Sequence, residues 1–433
     1  MGKKAGGPTS SVGAPARPAY KWLVVGMLWW IAFFNYADRQ AIFSVFPLLE
    51  KEFHLSLAQL GLLGSSFAWA YGLCAPFAGN IVDRVRRKSA ILGGLHVWSA
   101  ICMATALARN FGGLLFFRAS EGIGESLYFP GSVSLISDYH GGETRSRALG
   151  IHQTSVYIGT IAGGAFAGLI GQAYGWRWSF LVFGALGVAL GLFLRRFLME
   201  PARGAADLGG GRHAERIPTR EFLRIVWGTP TVLLLMAAFL CANFVAVVLL
   251  SWMPKFLYDR FHLSLAAAGL TATVFVQLAS MAGSPLGGWL ADALRKRTPG
   301  GRLVVQAVGV FGGAPFVVLC ALTASVKWLI VALIAWGFFK GLYDANIFAS
   351  MFDVIRPEAR GTAAGFMNMT GWLGGGMAPL AIGYIAQGRG LSFAIASAAA
   401  AYVAAGALLV AGVFGTVRRD ASRMQAQLEG EAL

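Results

Sequence analysis

The sequence predicts an all-α membrane protein with twelve spanning helices in two similar halves, on three observations. The 433 residues are 56% hydrophobic and only 13% charged, with a mean hydropathy of +0.61, whereas soluble domains carry about 25% charged residues. Apolar runs near the bilayer-crossing length of about 20 residues recur along the whole chain. The segment FHLSLAQLGL at 53–62 returns as FHLSLAAAGL at 261–270, which is 208 positions later.

Hydropathy and charge together give the domain organisation and the topology. The tails and even-numbered connections hold 26 of the 36 Lys and Arg residues, and the odd-numbered connections hold 7. Because basic loops stay on the cytoplasmic side, we expect both termini to lie in the cytoplasm. We expect the protein to be located in the cell (inner) membrane. The net charge of +16 is then a topology signal and does not indicate nucleic-acid binding. The predicted parts are an N-terminal tail at 1–21, a six-helix bundle at 22–194, a central loop at 195–229, a second bundle at 230–415 and a C-terminal tail at 416–433.

Landmarks near the span ends repeat between the halves. The sequence GNIVD at 79–83 is matched by GWLAD at 288–292, and a basic cluster follows each; other acidic and basic positions recur at an offset of 215. Two parallel six-span repeats around a central cavity are typical of alternating-access carriers. Carboxylates at span ends and cations in the following turns can form ion pairs that close one side of such a carrier. The predicted cytoplasmic gate is Asp83, Arg84, Arg87, Asp138, Glu143, Arg145, Asp292, Arg295, Asp353, Glu358 and Arg360.

Two predicted spans carry ionisable residues. The first contains FFNYADRQ, with Asp38 and Arg39, and the fourth contains RASEGIGESLYFPG, with Arg118, Glu121 and Glu125. Charges inside a membrane are costly unless paired or hydrated, so each is a functional candidate. The i, i+3, i+7 spacing in the fourth span puts its three charges on one helical face, which must look into the bundle. A carboxylate in a poorly hydrated cavity can take up a proton near neutral pH, and a static ion pair that fixes helix packing is the alternative.

The offset of 215 also relates polar residues inside the spans. It places Lys340 at the position equivalent to Glu125, so in a two-fold arrangement the two should face each other across the cavity. Aligned tyrosines and amides could bind a hydroxylated ligand or brace neighbouring helices. We predict Asp38 and Glu125 as proton-coupling residues, and Arg39, Arg118, Lys340, Tyr36, Tyr128, Glu121, Tyr343, Asp344, Gln153 and Asn368 as substrate-binding residues.

Several motifs resemble known families. GNIVDRVRRK at 79–88 resembles the loop signature of the major facilitator superfamily, G-x-x-x-D-R-x-G-R-[KR], with Arg86 at the second Gly. NYADRQ together with R…GIGE…FP resembles the anion:cation symporter family, which takes up sugar acids and other organic anions with protons. GIGESLY…ISDYHGGETRSRALGI resembles the Spinster-like transporters, which are implicated in lysolipid and sphingolipid movement. Both resemblances imply the major facilitator fold, with the first-span Asp-Arg and the fourth-span Glu as coupling residues.

Two departures bear on the substrate and direction of transport. Val156 stands where sugar-acid members have Gln, and Gly164 replaces the Pro of the drug/proton antiporter motif. The predicted function is proton-coupled symport of a small organic anion, such as a hexuronate or other sugar acid, by alternating access. A Spinster-like lysolipid or amphiphile transporter, an efflux carrier and a non-transporting sensor are the alternatives.

The chain lacks the signatures of an enzyme or a metalloprotein. It has no Walker loop, HExxH or GxSxG, and its four cysteines lie in apolar stretches without CxxC spacing. We therefore predict no catalytic activity, no cofactor and no bound metal. The expected partners are the organic anion, protons and the lipid bilayer, and the expected state is a monomer.

Overall fold

The computed structural model describes residues 18–141, 143–201, 206, 224–356 and 359–430. The central loop of the predicted topology falls mostly outside these ranges. The gate residue Glu358 and the side chain of Asp83 also lie outside the described part.

Six spans form the first half, and a short, partly buried helix joins the first two. The fourth span is broken after Glu125 into two helices. The helices are α1 (Pro18–Ser44), α2 (Phe46–Phe53), α3 (Leu57–Arg84), α4 (Arg87–Thr105), α5 (Phe111–Glu125), α6 (Tyr128–Tyr139), α7 (Arg145–Tyr174) and α8 (Trp176–Phe197).

The second half repeats this order. Its fourth span is also broken after an acid, Asp344, and its last two spans are joined at Gly390, where a φ of 78° turns the chain. The helices are α9 (Pro230–Phe261), α10 (Leu265–Arg295), α11 (Gly301–Leu322), α12 (Val326–Asp344), α13 (Ile347–Phe352), α14 (Arg360–Ser397), α15 (Ala399–Gly415) and α16 (Val417–Gly430). The predicted twelve-helix architecture is confirmed.

By length and apolar composition alone, seven helical stretches in the described ranges qualify as membrane spans, and one of them, 362–415, contains two spans. The helices α1, α3, α4 and α5 are not among these stretches. Two of them, α1 and α5, hold the buried charges described below.

The repeated FHLS segments are helix stop and start signals. His54 and His262 adopt left-handed backbone angles, with φ of 51° and 54°, and end the preceding helices. Two residues later, Ser56 and Ser264 cap the next helices by accepting hydrogen bonds from backbone N–H groups, each at 3.2 Å. A serine at this position satisfies an otherwise unpaired donor of the first helical turn. The duplication therefore preserves the tight turn between α2 and α3 and between α9 and α10.

The spans define two faces of the molecule. We call the face that carries the basic connections, at 84–88 and 295–302, the basic face, and the other the opposite face. At the opposite face the two bundles contact each other directly. The Gln40 side chain donates to the Leu250 carbonyl at 2.8 Å, the rings of Phe46 and Trp252 lie 5.7 Å apart, and Lys255 forms an ion pair with Glu50. This face is closed.

Glycines allow the close approach of α7 and α10 near the opposite face. A Cβ atom added to Gly269 would lie 2.0 Å from the carbonyl oxygen of Gly164, so no larger residue fits without moving a helix backbone. Gly288, in the same helix, has nothing within 4 Å of its added Cβ.

Replacing Gly269 by Ala is therefore expected to hold the bundles apart at the opposite face, because overpacking costs about 1–3 kcal/mol. Spin labels on Lys51→Cys and Tyr258→Cys, in a background with the four native cysteines replaced by Ser, would report the separation by pulsed electron resonance. The distance distribution should move to longer values with Gly269→Ala and stay unchanged with Gly288→Ala. Identical distributions in all three proteins would contradict this packing.

At the basic face, the ion pairs seen between described residues join residues of the same bundle. Arg87 pairs with Asp138 in the first bundle, and Arg302 pairs with Asp353 at 3.1 Å in the second. Each partner lies 215 positions from its counterpart, so the two pairs are pseudo-symmetric. The sequence prediction omitted Arg302, although the same offset relates it to Arg87. Burial raises the pKa of Asp353, while Arg302 and Arg295 act in the other direction.

The other six predicted gate residues whose side chains are described also find partners within their own bundle or face solvent. Arg145 donates to the His140 carbonyl at 3.0 Å, and Arg360 donates to the Phe352 carbonyl at 3.0 Å. Of the other positions, Arg84 and Glu143 are exposed, Arg295 pairs with Asp353 at 3.0 Å, and Asp292 pairs with Arg302 at 2.7 Å.

Candidate functional site

Five charged side chains meet inside the first bundle, and we call them the buried charge cluster. Helix α1 supplies two of them and α5 supplies the three whose spacing predicted a common inward face. None is more than 8% exposed. The members are Asp38, Arg39, Arg118, Glu121 and Glu125.

Both guanidinium groups of the cluster are paired, but only two of its three carboxylates are. Arg39 pairs with Glu125, and Arg118 pairs with Glu121. Asp38 accepts a hydrogen bond from the backbone N–H of Arg39 at 3.0 Å, and within the described residues no cationic side chain pairs with it. Its carboxylate, one oxygen of Glu121 and the Cys102 sulfur lie within 4.8 Å of one another. Two guanidinium groups beside these atoms disfavour a metal cation there.

Aromatic rings surround the Arg39 guanidinium. Its central carbon lies 4.6 Å from the ring centre of Tyr36, 4.5 Å from Tyr71 and 5.2 Å from both Phe67 and Trp372. Such stacking stabilises a cation through the ring quadrupole. Trp372 belongs to α14 in the second bundle, so this arginine touches both halves of the molecule.

A cavity of about 650 Å³ lies between the bundles. Six predicted substrate-binding residues line it, and polar side chains that sequence reasoning did not assign also contribute. Of these, Asn243 had a signal, since it follows Asn35 by the repeat offset of 208. Neither Tyr157 nor Tyr402 was assigned from the sequence. The six predicted residues are Tyr36, Gln153, Lys340, Tyr343, Asp344 and Asn368; the unassigned polar ones include Tyr157, Asn243, Ser284 and Tyr402.

Lys340 and Asp344 are the two charged residues of this lining among the described residues, and they form an ion pair. Glu125 does not line the cavity; it is fully buried and paired with Arg39. We expected Glu125 and Lys340 to face each other across the cavity. Each instead forms an ion pair inside its own bundle, Glu125 with Arg39 and Lys340 with Asp344. Because an opposite charge within its own bundle already compensates each side chain, neither needs the other across the cavity. Tyr36 and Trp372 line the cavity and also stack on Arg39, so they connect the two sites.

Arg39, Arg118, Glu121 and Tyr128 were expected to contact substrate, but they do not line the cavity. The first three belong to the buried charge cluster. The hydroxyl of Tyr128 donates to the Leu28 carbonyl at 2.6 Å and lies 2.8 Å from Nε2 of His152. Tyr128 thus braces α6 against α1 and α7, because its hydroxyl finds a backbone acceptor inside the bundle.

A polar cavity between two pseudo-symmetric six-helix bundles, closed at one face, defines a membrane transporter. The chain belongs to the Major Facilitator Superfamily, whose family model matches residues 28–379 and 257–432.

Curated relatives include both kinds of transporter that the motifs resemble. The chain is 29% identical to the protein spinster of Drosophila melanogaster over 381 residues, which is 85% of this chain and 62% of the fly protein. It therefore spans about three fifths of that relative. It is 26% identical to the hexuronate transporter of Bacillus subtilis, with 89% of this chain and 91% of that protein covered.

Two solved structures have the same fold. Both are of a bacterial homolog to the human lysosomal transporter Spinster. The inward-facing, unoccupied form matches with a TM-score of 0.78 at 24% identity, covering 94% of this chain and 98% of that one. The inward-facing, occupied form matches with a TM-score of 0.79 at 22% identity, covering 92% and 97%.

Proposed function

We propose that this protein is a proton-coupled symporter of a small organic anion, with hexuronates or other sugar acids as its substrate class. One observation carries the proposal: a buried cluster with more carboxylates than cations adjoins a polar cavity that contains a lysine. The cluster would bind the proton and the cavity would bind the anion. The 26% identity to a hexuronate transporter over 91% of its length supports this substrate class.

The charges of the cluster support binding of one proton. Three carboxylates and two guanidinium groups would leave one uncompensated negative charge in a region shielded from water, which is costly. A single proton removes this cost. Asp38, the carboxylate without a cationic partner, would hold it in the present conformation, although protons in such closely spaced groups belong to the group as a whole. Glu121 then contributes to proton binding indirectly. Because Arg118 pairs with Glu121, it does not compensate the charge of Asp38.

The cavity lining suits a polyhydroxylated acid. A substrate carboxylate would compete with Asp344 for the ammonium group of Lys340. Amide side chains and tyrosine hydroxyls would hydrogen-bond the sugar hydroxyls, and charge-assisted bonds to the lysine would fix the orientation. The residues in these roles are Lys340, Asp344, Gln153, Asn243, Asn368, Tyr36, Tyr157, Tyr343 and Tyr402.

Coupling would run through the aromatic residues shared by the two sites. A substrate that contacts Tyr36 or Trp372 would change the packing around Arg39, and with it the Arg39–Glu125 pair. Proton affinity and substrate affinity would then be linked. The protein would act as a monomer, since one chain provides both sites.

We further propose that the basic face is cytoplasmic, with both termini inside the cell. The present conformation would then be closed to the outside, where Lys255 pairs with Glu50. Import would require this contact to form after substrate enters, and the basic-face residues to form contacts between the bundles when the inside closes.

Uptake into proteoliposomes tests the function. Radiolabelled glucuronate and galacturonate should accumulate when the proton gradient points in the same direction as uptake, and not when it is collapsed by a protonophore. Empty liposomes serve as the control. Absence of uptake with a panel of sugar acids would reject the substrate class.

A second candidate is a lysolipid or amphiphile transporter. The 29% identity to spinster favours it, as do the apolar members of the cavity lining, Phe239, Met281 and Phe348. The same proteoliposomes distinguish the two: movement of fluorescent lysophosphatidylcholine between leaflets without sugar-acid uptake would favour the second candidate.

A further inference from the structure

The outer surface of the second bundle carries two apolar grooves on either side of α11. One, of about 340 Å³, runs between the end of α10, α11 and α12. The other, of about 480 Å³, runs between α11, α12 and α15. Val304 and Val308 belong to both, so the grooves meet at the surface of α11. Both lie in the half of α11 that is nearer the basic face.

Arg297 links the first groove to a polar pocket. It is the charged residue among that groove's described lining, beside Leu290, Leu294 and Leu342. The same arginine lines a pocket of about 760 Å³ at the basic face, between the α10–α11 connection and α16. An apolar groove that shares a lining residue with a basic pocket suits an amphiphile.

The basic pocket has an excess of positive charge. Its two acids, Asp292 and Asp353, are already paired with Arg302 and Arg295. Lys296 and Arg297 are exposed, and no acidic side chain among the described residues pairs with either. Two cations are therefore available for an anionic group at the level of the lipid headgroups.

We propose that this surface binds an anionic phospholipid with two acyl chains. The phosphate would lie against Lys296 and Arg297, and one chain would lie in each groove, diverging around Val304 and Val308. The negative charge, the acyl chains and the number of chains are each required for a separate reason. A neutral lipid would leave the cations uncompensated, a free phosphate would leave the grooves unused, and a single-chain lipid would fill only one of them. Basic pockets between membrane helices recognise such headgroups through the same charge attraction.

This site is separate from the proposed transport cavity, because its groove residues lie on the outer side of α11, α12 and α15. It adjoins the Arg302–Asp353 ion pair at the basic face, where the cytoplasmic gate is predicted. A bound lipid would therefore be positioned to act on the gate without entering the transport pathway.

Native mass spectrometry of the purified full chain tests the proposal, with dioleoyl phosphatidylglycerol as the probe. Dioleoyl phosphatidylcholine has the same chains without net charge, and lysophosphatidylglycerol has the same headgroup with one chain. Each cation near a headgroup is worth about fivefold in affinity, so Lys296→Gln with Arg297→Gln should lower phosphatidylglycerol binding roughly 25-fold. Val308→Trp should lower it by filling the junction of the grooves.

Matched controls come from the rest of the chain. Arg84→Gln with Arg86→Gln removes two exposed cations from the equivalent loop of the first half, and Val331→Trp places a ring on another exposed position of α12. Val331 lies in α12 and lines neither groove, whereas Val308 lies in α11. Both controls should bind the lipid like the native chain. Unchanged binding in both test variants, or an equal loss in the Arg84/Arg86 control, would overturn the proposal. Equal affinity for the one-chain lipid would overturn the two-groove assignment.

Discussion

Replacing Glu125 by Gln is expected to abolish the accumulation of substrate driven by a proton gradient, while exchange of labelled for unlabelled substrate continues. The substitution keeps the size of the side chain and an acceptor for Arg39, its present partner. It leaves two carboxylates with two guanidinium groups, so the buried charge cluster becomes neutral without a proton. The driving force for proton binding is then lost, and the carrier becomes an exchanger. Paired uptake and exchange assays in proteoliposomes measure both activities.

Two further variants separate the charge balance from the identity of the residue. Glu121→Gln changes the charge of the cluster by the same amount at a different position, and we expect the same loss of accumulation. Cys102→Ser alters a neighbour of Asp38 and Glu121 without changing the charge, and should accumulate substrate normally. Accumulation that persists in Glu125→Gln would show that the proton binds elsewhere. If accumulation persists only in Glu121→Gln, then Glu121 takes no part in proton binding and serves only as the ion-pair partner of Arg118.

Replacing Lys340 by Gln is expected to weaken binding of an anionic substrate by about 10- to 100-fold. A hydrogen bond to a charged group contributes about 1.5–3 kcal/mol, and about 1.4 kcal/mol corresponds to a factor of ten. The substitution removes the positive charge that the described cavity lining contains. It also leaves Asp344 without its ion-pair partner. The concentration dependence of initial uptake rates measures the change.

The partner residue gives the matched control. Asp344→Asn releases Lys340 from its ion pair, so the same substrate should bind more tightly than it does to the native protein. The double variant removes the pair without leaving an unpaired charge, and should fold well yet bind the anion as weakly as Lys340→Gln. Native affinity in Lys340→Gln would exclude this lysine from anion binding. Loss of affinity in Asp344→Asn would show instead that the acid contacts the substrate.

The fold was predictable because its signals are local or repeated. Apolar runs of spanning length, basic connections and a duplicated FHLS segment each depend on residues close together in sequence, and they placed twelve helices in two halves. The same kind of signal placed three charges of α5 on one inward face. Even Arg302, the basic-face arginine that sequence reasoning missed, lay at the offset that relates Asp138 to Asp353.

The arrangement of the site was less predictable. Six of the ten residues expected to bind substrate line the cavity. The others, Arg39, Arg118, Glu121 and Tyr128, point to partners inside the first bundle. A pseudo-two-fold axis relates backbone positions. It does not determine with which of several nearby opposite charges a given side chain forms an ion pair.

The amino-acid sequence alone therefore determined that this protein is a duplicated helical membrane carrier with charges at the centre of its first bundle. Only the tertiary structure decided that Arg39 pairs with Glu125, that Asp38 has no cationic partner among the described residues, and that Tyr36 and Trp372 lie between this cluster and the cavity. The physical reason is distance. Helical periodicity fixes which residues share a face, whereas ion pairing depends on separations of a few ångströms between helices that are far apart along the chain, and these are set by packing.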